Sequence, residues 1–272
     1  MTLLECDYLI IGSGLAGLSA ARKLSPHGKV IVVTKRERWN TNTNCAQGGI
    51  ACVTREDDSV ESHVADTIDA GAGLCDEEVV RRIVSEAPAR VDELRAIGIE
   101  FSASENNPEE PDLGREGGHS ARRILHCGDM TGRVLQEGLL RAADSDPNIT
   151  IMEHTQAIDL VTRNIDGVTT CVGCYLFQPQ TGMICAVRAS YTLLATGGAG
   201  RVYRYTSNPD VAVGGGIAIA WRAGAEVRNM EFMQFHPTCL YHPKAKNFLI
   251  SEAVRGEGAK LVDNNGEAFM TR

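Results

Sequence analysis

The sequence predicts an α/β fold with a parallel sheet and an added β-meander. An apolar strand over residues 7–11 runs into a glycine turn over residues 12–17. The helix that follows, residues 15–24, has an apolar face, and residues 30–34 supply a second apolar strand. Residues 149–195 then take on the pattern of a meander. The order strand, glycine turn, helix, strand is typical of a Rossmann-like, dinucleotide-binding domain.

Each glycine of the Gly-x-Gly-x-x-Gly turn has its own expected purpose. Gly12 permits the tight turn, Gly14 lets a pyrophosphate approach the backbone, and Gly17 lets the helix pack closely on the strand. The helix N-terminus offers N–H groups to the anion. The predicted contacts here are Gly12, Ser13, Gly14, Leu15, Ala16 and Gly17. The alternative is a plain tight turn in another kind of α/β protein.

The other elements follow from hydrophobic spacing. Beyond the first helix and two strands, residues 36–49 form a predicted loop with no element of its own. Pro88 is expected to kink or split the second of the later helices. Those helices are predicted at Val60–Ala70, Asp76–Ile97, Thr131–Ala143 and Val213–Ala223. The later strands are predicted at Ile149–Glu153, Ala157–Arg163, a hairpin over Thr169–Ala189 and Tyr191–Ala195.

Composition narrows the class of protein. The chain has 272 residues, 43% of them hydrophobic, and a net charge of -8. It has no dense Lys/Arg stripe for nucleic acid and no apolar run for a bilayer, so neither partner is expected and a cytoplasmic location is predicted. The nine cysteines are expected to be reduced thiols. Cys171 and Cys174 form a CxxC in a strand-like stretch without further ligands, so no metal site is predicted.

Polar tracts outside the glycine turn are candidate binding sites. Residues 41–49 join polar side chains to paired glycines that can wrap a cofactor, the alternative being an ordinary Asx-turn loop. Residues 114–126 hold three arginines suited to anions, the alternative being a solvated basic loop. Residues 195–200 are a strand entering a glycine turn. Gln234 and His236 alternate with apolar residues, so they point the same way on an extended segment.

These motifs, in this order, resemble the aspartate oxidases of the succinate dehydrogenase/fumarate reductase flavoprotein family. Lys35, which stands where an NAD enzyme usually has a ribose-binding acid, is the residue that this family places there. The resemblance rests on the turn at 12–17, Thr34-Lys35, Ala46–Gly49, residues 114–126, 195–198 and 234–238, and residues 251–258. It covers nearly the whole chain and implies FAD as the cofactor.

The resemblance also implies how FAD is held. Asn42 stands where the dehydrogenase relatives carry the histidine that attaches flavin covalently, so non-covalent binding is expected. The family reads Gly-Asp-Gly where this chain has Gly214-Gly215-Gly216, and the lost aspartate contact is expected to weaken FAD binding. Besides the glycine turn, the implied contacts are Lys35, Asn42, Thr43, Asn44, Cys45, Ala46, Gln47, Gly48, Gly49, Ala157, Thr196, Gly197 and Gly215.

The implied reaction is the oxidation of L-aspartate to iminoaspartate with oxygen or fumarate as electron acceptor, the first step of NAD biosynthesis, with quinolinate synthase as a partner. His236, Gln234 and Ser251 would hold a substrate carboxylate, and Arg255 belongs to the same set. Glu116 would meet the substrate ammonium. The alternatives are a fumarate- or succinate-directed relative and a non-catalytic FAD-binding module.

The resemblance divides the chain into an FAD-binding domain at 1–232, N-terminal part only, and the start of a smaller α+β capping domain at 233–272. The sequence stops before the family's catalytic arginine. The 272-residue chain alone is therefore expected to bind FAD weakly and to turn over aspartate negligibly.

Overall fold

The computed structural model describes residues 2–245 and 248–270. Its strands are β1 (Thr2–Ile11), β2 (Val30–Val33), β3 (Ile50–Ala51), β4 (Leu113–Gly114), β5 (Ile124–Leu125), β6 (Ile149–Met152), β7 (Gln156–Ile165), β8 (Val168–Gln178), β9 (Met183–Leu194), β10 (Cys239–Leu240) and β11 (Phe248–Leu249). Its α-helices are α1 (Leu15–Leu24), α2 (Asn42–Cys45), α3 (Val60–Ala70), α4 (Glu77–Arg95), α5 (Thr131–Asp144), α6 (Gly215–Arg222) and α7 (Glu252–Gly256), with 3-10 turns at Ser25–His27 and Gly200–Val202.

One six-stranded sheet confirms the predicted fold class. Its strand order is β6-β2-β1-β9-β8-β7. The first four strands run parallel, and β8 and β7 continue antiparallel from β9 as the meander. Helix α1 makes the crossover from β1 to its parallel neighbour β2. The carboxyl ends of β1, β2 and β9 therefore lie at one edge of the sheet.

The central strands are buried because both faces of the parallel part are covered. On one face, Ile10 and Val32 pack with Ala21 of α1. On the other face, Leu9 and Ile31 belong to the core that also contains buried residues of β8, β9 and α6. This core explains why the strand sequences read as nearly continuous apolar runs.

A second core lies among shorter elements. Cys52, Val91, Leu113 and Leu125 are buried together, and the three-stranded sheet β3-β5-β4 contributes to it. Helices α3 and α4 begin at polar caps, as Ser59 accepts a hydrogen bond from Ser62 N before α3 and Asp76 accepts one from Val79 N before α4.

Three predicted elements need correction. The separate strand predicted at Tyr191–Ala195 is the end of β9, because the whole of β1, from Thr2, pairs with that strand. Pro88 does not split α4, which runs on as one helix with Val84 and Val91 buried on either side of the proline. The loop predicted at 36–49 contains α2, whose first turn is capped by the Thr41 side chain.

The chain forms two compact units that do not follow a single cut in the sequence. Among the described residues, the first unit contains 2–46, 133–237 and 241–245, and the second contains 47–132, 238–240 and 248–270. The division at residue 232 stays a prediction. No helix in the described parts of the chain is both long and apolar enough to cross a membrane.

Candidate functional site

The glycine turn has the backbone geometry that its sequence requires. Gly12 has φ +119°, and a Cβ there would overlap the carbonyl oxygen of Ala195 at the end of the neighbouring strand β9. A Cβ at Gly17 would overlap the carbonyl oxygen of Gly12, so Gly17 is what lets α1 approach β1. The turn therefore brings bare backbone to the carboxyl edge of the sheet.

The N-terminus of α1 is partly occupied by the protein itself. The backbone N–H of Leu15 donates to Thr43 Oγ1 at 3.0 Å. One of the donors that the helix offers to an anion is thus already used, and Thr43 is fixed against the turn. A pyrophosphate bound here would be met by the remaining first-turn donors.

A buried glutamine connects the turn to the loop that follows β2. Gln136 of α5 is fully buried, and its Nε2 donates to Ser13 O at 2.8 Å and to Arg38 O at 3.1 Å. Its Oε1 accepts a hydrogen bond from Thr41 Oγ1 at 3.1 Å. Sequence reasoning missed Gln136 as a site residue and included Thr41 only in the 41–49 tract, without a role of its own. The Thr41-x-x-Asn44 spacing was the available signal for a helix cap, whereas nothing local marks Gln136.

Lys35 and Gly215 meet in the same unit although they are 180 residues apart in the sequence. The Lys35 Nζ donates to the carbonyl oxygen of Val211 at 3.2 Å, and a Cβ at Gly215 would stand 3.3 Å from that Nζ. Burial lowers the pKa of Lys35. No ion pair involving Lys35 is found within residues 2–245 and 248–270. A half-buried ammonium without a carboxylate is a position where an anionic ligand group would be stabilised.

These residues line a cavity of about 650 Å³ in the first unit, within the usual size of a ligand site. The structure places many predicted cofactor contacts in its wall: Gly12, Ser13, Gly14, Leu15, Ala16, Lys35, Asn42, Thr43, Ala157, Thr196, Gly197 and Gly215. Among described residues, the cavity wall does not include the predicted contacts Gly17, Asn44, Cys45 and Ala46 of the same unit. Asn40, Thr155 and Val211 line it without having been predicted.

The remaining predicted cofactor contacts lie in the second unit. A Cβ at Gly48 would stand 2.7 Å from Glu116 Oε1, and a Cβ at Gly49 would overlap backbone of Leu125. Gln47 Nε2 donates to Leu249 O at 3.2 Å. Gly49 is therefore required by its close approach to β5, whereas a side chain at Gly48 would displace the flexible end of Glu116. Their contact with a cofactor stays a prediction.

Glu116 is a half-buried carboxylate on the segment that follows β4. Burial and then the nearby Glu252 raise its pKa, opposed by a backbone hydrogen bond from Gly49 and by Arg255. No ion pair to Glu116 occurs in the described part of the chain. The side chain can therefore accept a hydrogen bond from a positively charged ligand group.

Helix α7 brings Ser251 and Arg255 to the same unit as Glu116. A Cβ at Gly256 would overlap the carbonyl oxygen of Arg115, so α7 packs directly on the segment that carries Glu116. Arg255 Nη2 pairs with Glu252 Oε1 at 2.9 Å, while its buried Nε has no hydrogen-bond partner in the described residues. An unsatisfied guanidinium N–H beside Glu116 is suited to an acceptor on a ligand.

Gln234 and His236 lie in the first unit, in an irregular segment between α6 and β10. Gln234 is exposed and His236 is half-buried. The predicted substrate residues are thus divided between the units. The structure places Glu116, Ser251 and Arg255 in the second unit, and Gln234 and His236 in the first.

The arginines of the 114–126 tract already have protein partners. Arg123 is fully buried between Asp58 and Asp66, and Arg122 pairs with Glu257 at 2.9 Å. Arg115 Nε donates to His119 O at 3.0 Å. Arg123 is therefore paired with carboxylates of the protein itself, which neutralise its charge.

The described residues fit FAD. Gly12 and Gly14 of the turn present backbone without a side chain, the cavity is large enough for an extended ligand, and Lys35 offers a positive charge that no ion pair among those residues neutralises. No group of His, Cys, Asp and Glu side chains within residues 2–245 and 248–270 is arranged to hold a metal ion. The exposed glycine backbone and the ammonium of Lys35 support an anionic cofactor in this cavity.

Comparison with protein families agrees with this interpretation of the cavity. The family model described as FAD binding domain matches residues 7–272. Among curated proteins, the L-aspartate oxidase of Vibrio cholerae is 51% identical over 271 residues, which is 98% of this chain and 51% of that protein. The chloroplastic L-aspartate oxidase of Oryza sativa is 47% identical, covering 97% of this chain and 42% of that protein. The chain spans about half the length of the curated relatives it matches.

Solved structures show the same fold. A mutated E. coli quinol fumarate reductase FrdA superposes with a TM-score of 0.90 at 32% identity, covering 98% of this chain and 45% of that one. Mycobacterium smegmatis Sdh1 superposes with a TM-score of 0.84 at 31% identity, covering 99% and 47%.

Proposed function

We propose that this chain takes part in the oxidation of L-aspartate to iminoaspartate. The chain belongs to the FAD binding domain family, and FAD is its cofactor. The proposal extends to non-covalent attachment. Asn42 lines the cavity, and a carboxamide is not a nucleophile that would form a covalent bond to flavin. The L-aspartate oxidases that are about half identical to this chain support the choice of substrate.

The observation that carries the proposal is the carboxylate of Glu116. An α-amino dicarboxylate presents one ammonium group and two carboxylates. Glu116 matches the ammonium, because it is half-buried and has no ion pair in the described residues. A fumarate- or succinate-directed site would be disfavoured by a carboxylate in this position, since it would repel the substrate's own negative charges.

Other side chains of the proposed site would hold the substrate carboxylates. Arg255 has a buried Nε that lacks a partner among described residues, and Ser251 precedes it at the start of the same short helix. His236 and Gln234, which belong to the first unit, stay proposed carboxylate-binding residues on the resemblance alone. Orientation by these groups fixes the Cα–H of the substrate in one direction, and FAD, when bound, supplies the two-electron acceptor.

The wider context is also part of the proposal. Oxygen or fumarate would reoxidise the cofactor, and the fold shared with fumarate reductases supports fumarate. The product would enter NAD biosynthesis through quinolinate synthase. A cytoplasmic location is supported by nine free cysteines, which suit a reducing compartment.

Two alternatives remain distinct from this proposal. A succinate-directed flavoprotein is favoured by the structural neighbours, and a non-catalytic FAD-binding module is favoured by Gly215, which leaves Lys35 without the acid found in the family.

The test is a flavin-reduction experiment with the purified chain. We expect the chain to bind FAD weakly, acid denaturation to release all of the flavin, and anaerobic L-aspartate to bleach the flavin absorbance slowly but more effectively than succinate. Bleaching by succinate alone would support the dehydrogenase alternative. Bound FAD that neither dicarboxylate reduces would support the binding module.

A further inference from the structure

The most deeply buried charge cluster of the second unit is centred on Arg123. Its guanidinium makes a bidentate pair with Asp58, with Nε–Oδ2 at 2.7 Å and Nη2–Oδ1 at 2.8 Å. The side chain of Arg123 is 0% exposed and that of Asp58 is 3% exposed. Nη2 also donates to Ser62 Oγ at 3.1 Å. These bonds join Arg123 to α3 and to the residue just before its cap.

A second carboxylate, Asp66 on α3, extends the cluster to the neighbouring turn. Asp66 Oδ2 accepts from Arg123 Nη1 at 2.5 Å, and also from the backbone N–H and the hydroxyl of Ser120, both at 2.8 Å. The hydrogen bonds between Ser120 and Asp66 are exposed to solvent, so burial alone does not fix the position of Ser120. One carboxylate oxygen therefore connects a buried arginine to a surface turn.

His119 adds a further connection. Burial and then Arg123 lower the pKa of His119, so its ring is neutral near pH 7. Its Nδ1 accepts from Arg123 Nη1 at 3.2 Å. The two residues that end the turn, His119 and Ser120, are thus both bonded to the Arg123 cluster.

The same turn carries Glu116. The backbone N–H of His119 donates to Glu116 O at 3.3 Å, and Arg115 Nε donates to His119 O at 3.0 Å. The Glu116 carboxylate lies in an unfavourable place, half-buried and near the negative Glu252. Without a restraint, it would gain free energy by turning toward water.

We propose that the Arg123 cluster is the restraint, and that Asp66 and Ser120 are positioning residues which hold the Glu116 carboxylate beside Gly49. The inference rests on the proposed function for the use of Glu116, but the restraint itself is a property of the second unit alone. If Arg123 and Asp66 served only the packing of the second unit, Asp66 would not need to accept two further hydrogen bonds from Ser120 at the surface. The specificity of the site for an ammonium group thus depends on residues that do not touch the substrate.

The test follows the titration of Glu116 by carboxyl NMR in the chain and its variants. Asp66→Asn weakens the acceptor that both Arg123 and Ser120 use, and Ser120→Ala removes only the hydroxyl bond. Asp69→Asn is the matched control, because Asp69 belongs to the same helix and is not among its buried residues. Circular dichroism confirms that each variant is folded, and Ser120→Ala decides the question if Asp66→Asn does not fold.

We expect the raised pKa of Glu116 to fall toward that of an ordinary glutamate in Asp66→Asn and Ser120→Ala and to stay raised in Asp69→Asn. An unchanged Glu116 titration in folded Asp66→Asn and Ser120→Ala would overturn the proposal.

A binding measurement separates this proposal from the proposed function. Asp66→Asn is expected to weaken the binding of L-aspartate by about tenfold and not to weaken that of succinate, because the ammonium contact is lost and the repulsion between Glu116 and a succinate carboxylate is relieved. An equal loss of affinity for L-aspartate and for succinate would contradict the positioning role of Asp66. If the wild-type chain binds neither dicarboxylate, the proposed function fails, while the Glu116 titration still decides the restraint.

Discussion

Replacing Arg123 by methionine tests how strongly the buried charge cluster stabilises the second unit. Methionine keeps much of the side-chain volume but leaves Asp58 and Asp66, which are 3% and 17% exposed, without their cation. Removing one partner of a buried ion pair costs about 3–5 kcal/mol. Since folded domains are stable by only about 5–15 kcal/mol, Arg123→Met is expected to remove a large share of the free energy of unfolding.

The pKa of Asp66 gives a second measure of how much the Arg123 cluster contributes to the free energy of unfolding. Burial alone would raise this pKa, but hydrogen bonds from Ser120 and Arg123 outweigh it and hold the pKa at about 2, against 3.8 for an unperturbed aspartate. The difference corresponds to about 2 kcal/mol of stabilisation from this carboxylate. Because the folded-state pKa is the lower one, the stabilisation is complete above about pH 4 and is lost as the pH falls toward about 2.

Urea unfolding monitored by circular dichroism measures the effect. Arg122→Met is the matched control, because Arg122 is the adjacent arginine and pairs with Glu257 at the surface, where both side chains are more than half exposed. Such surface pairs contribute at most about 1 kcal/mol. The unfolding midpoint should therefore fall clearly in Arg123→Met and hardly change in Arg122→Met.

Equal destabilisation by the two substitutions would refute the reasoning. The low pKa of Asp66 depends in part on Arg123. The reasoning would therefore also be refuted if the free energy of unfolding fell by the same amount in wild type and in Arg123→Met between about pH 4 and pH 2.

The other predictions concern the cavity and the candidate substrate site. Gly12→Ala should destabilise the chain by about 1–3 kcal/mol and abolish FAD binding, measured by urea unfolding and flavin fluorescence, because of its positive φ and the overlap with Ala195. Lys35→Met should weaken FAD binding and flatten its dependence on salt in fluorescence titrations, because an anion-binding charge is lost. Gly215→Asp should raise the pKa of Lys35, measured by lysine NMR, since a carboxylate beside the ammonium favours its charged form. Affinity for L-aspartate should fall as the pH drops through the raised pKa of Glu116, and Glu116→Gln should abolish that pH dependence in calorimetric titrations.

Local patterns predicted the elements that depend on local chemistry. The turn at 12–17 needs glycine at two positions where side chains would meet backbone, so its motif could be recognised directly. The periodicity of α1, α3 and α5 likewise predicted helices close to their observed bounds. Continuous β9 was missed because its length is set by pairing with all of β1, which no local pattern records.

Charged side chains were harder to predict because their roles depend on distant partners. The arginines of the 114–126 tract look alike in sequence, yet Arg123 is neutralised by Asp58 and Asp66, more than fifty residues earlier in the chain. Gln136 was missed for the same reason, since it reaches Ser13 across 123 positions of sequence.

A strand, a glycine turn and a helix in that order were enough to predict a dinucleotide cavity, because this arrangement permits little else. Which charges remain available to ligands could be read only from the folded chain. Lys35 and Glu116 are left without ion pairs in the described residues, whereas Arg123 is buried between two carboxylates. The physical reason is that backbone geometry follows from neighbouring residues, while the free energy of a charge depends on every group that folding brings near it.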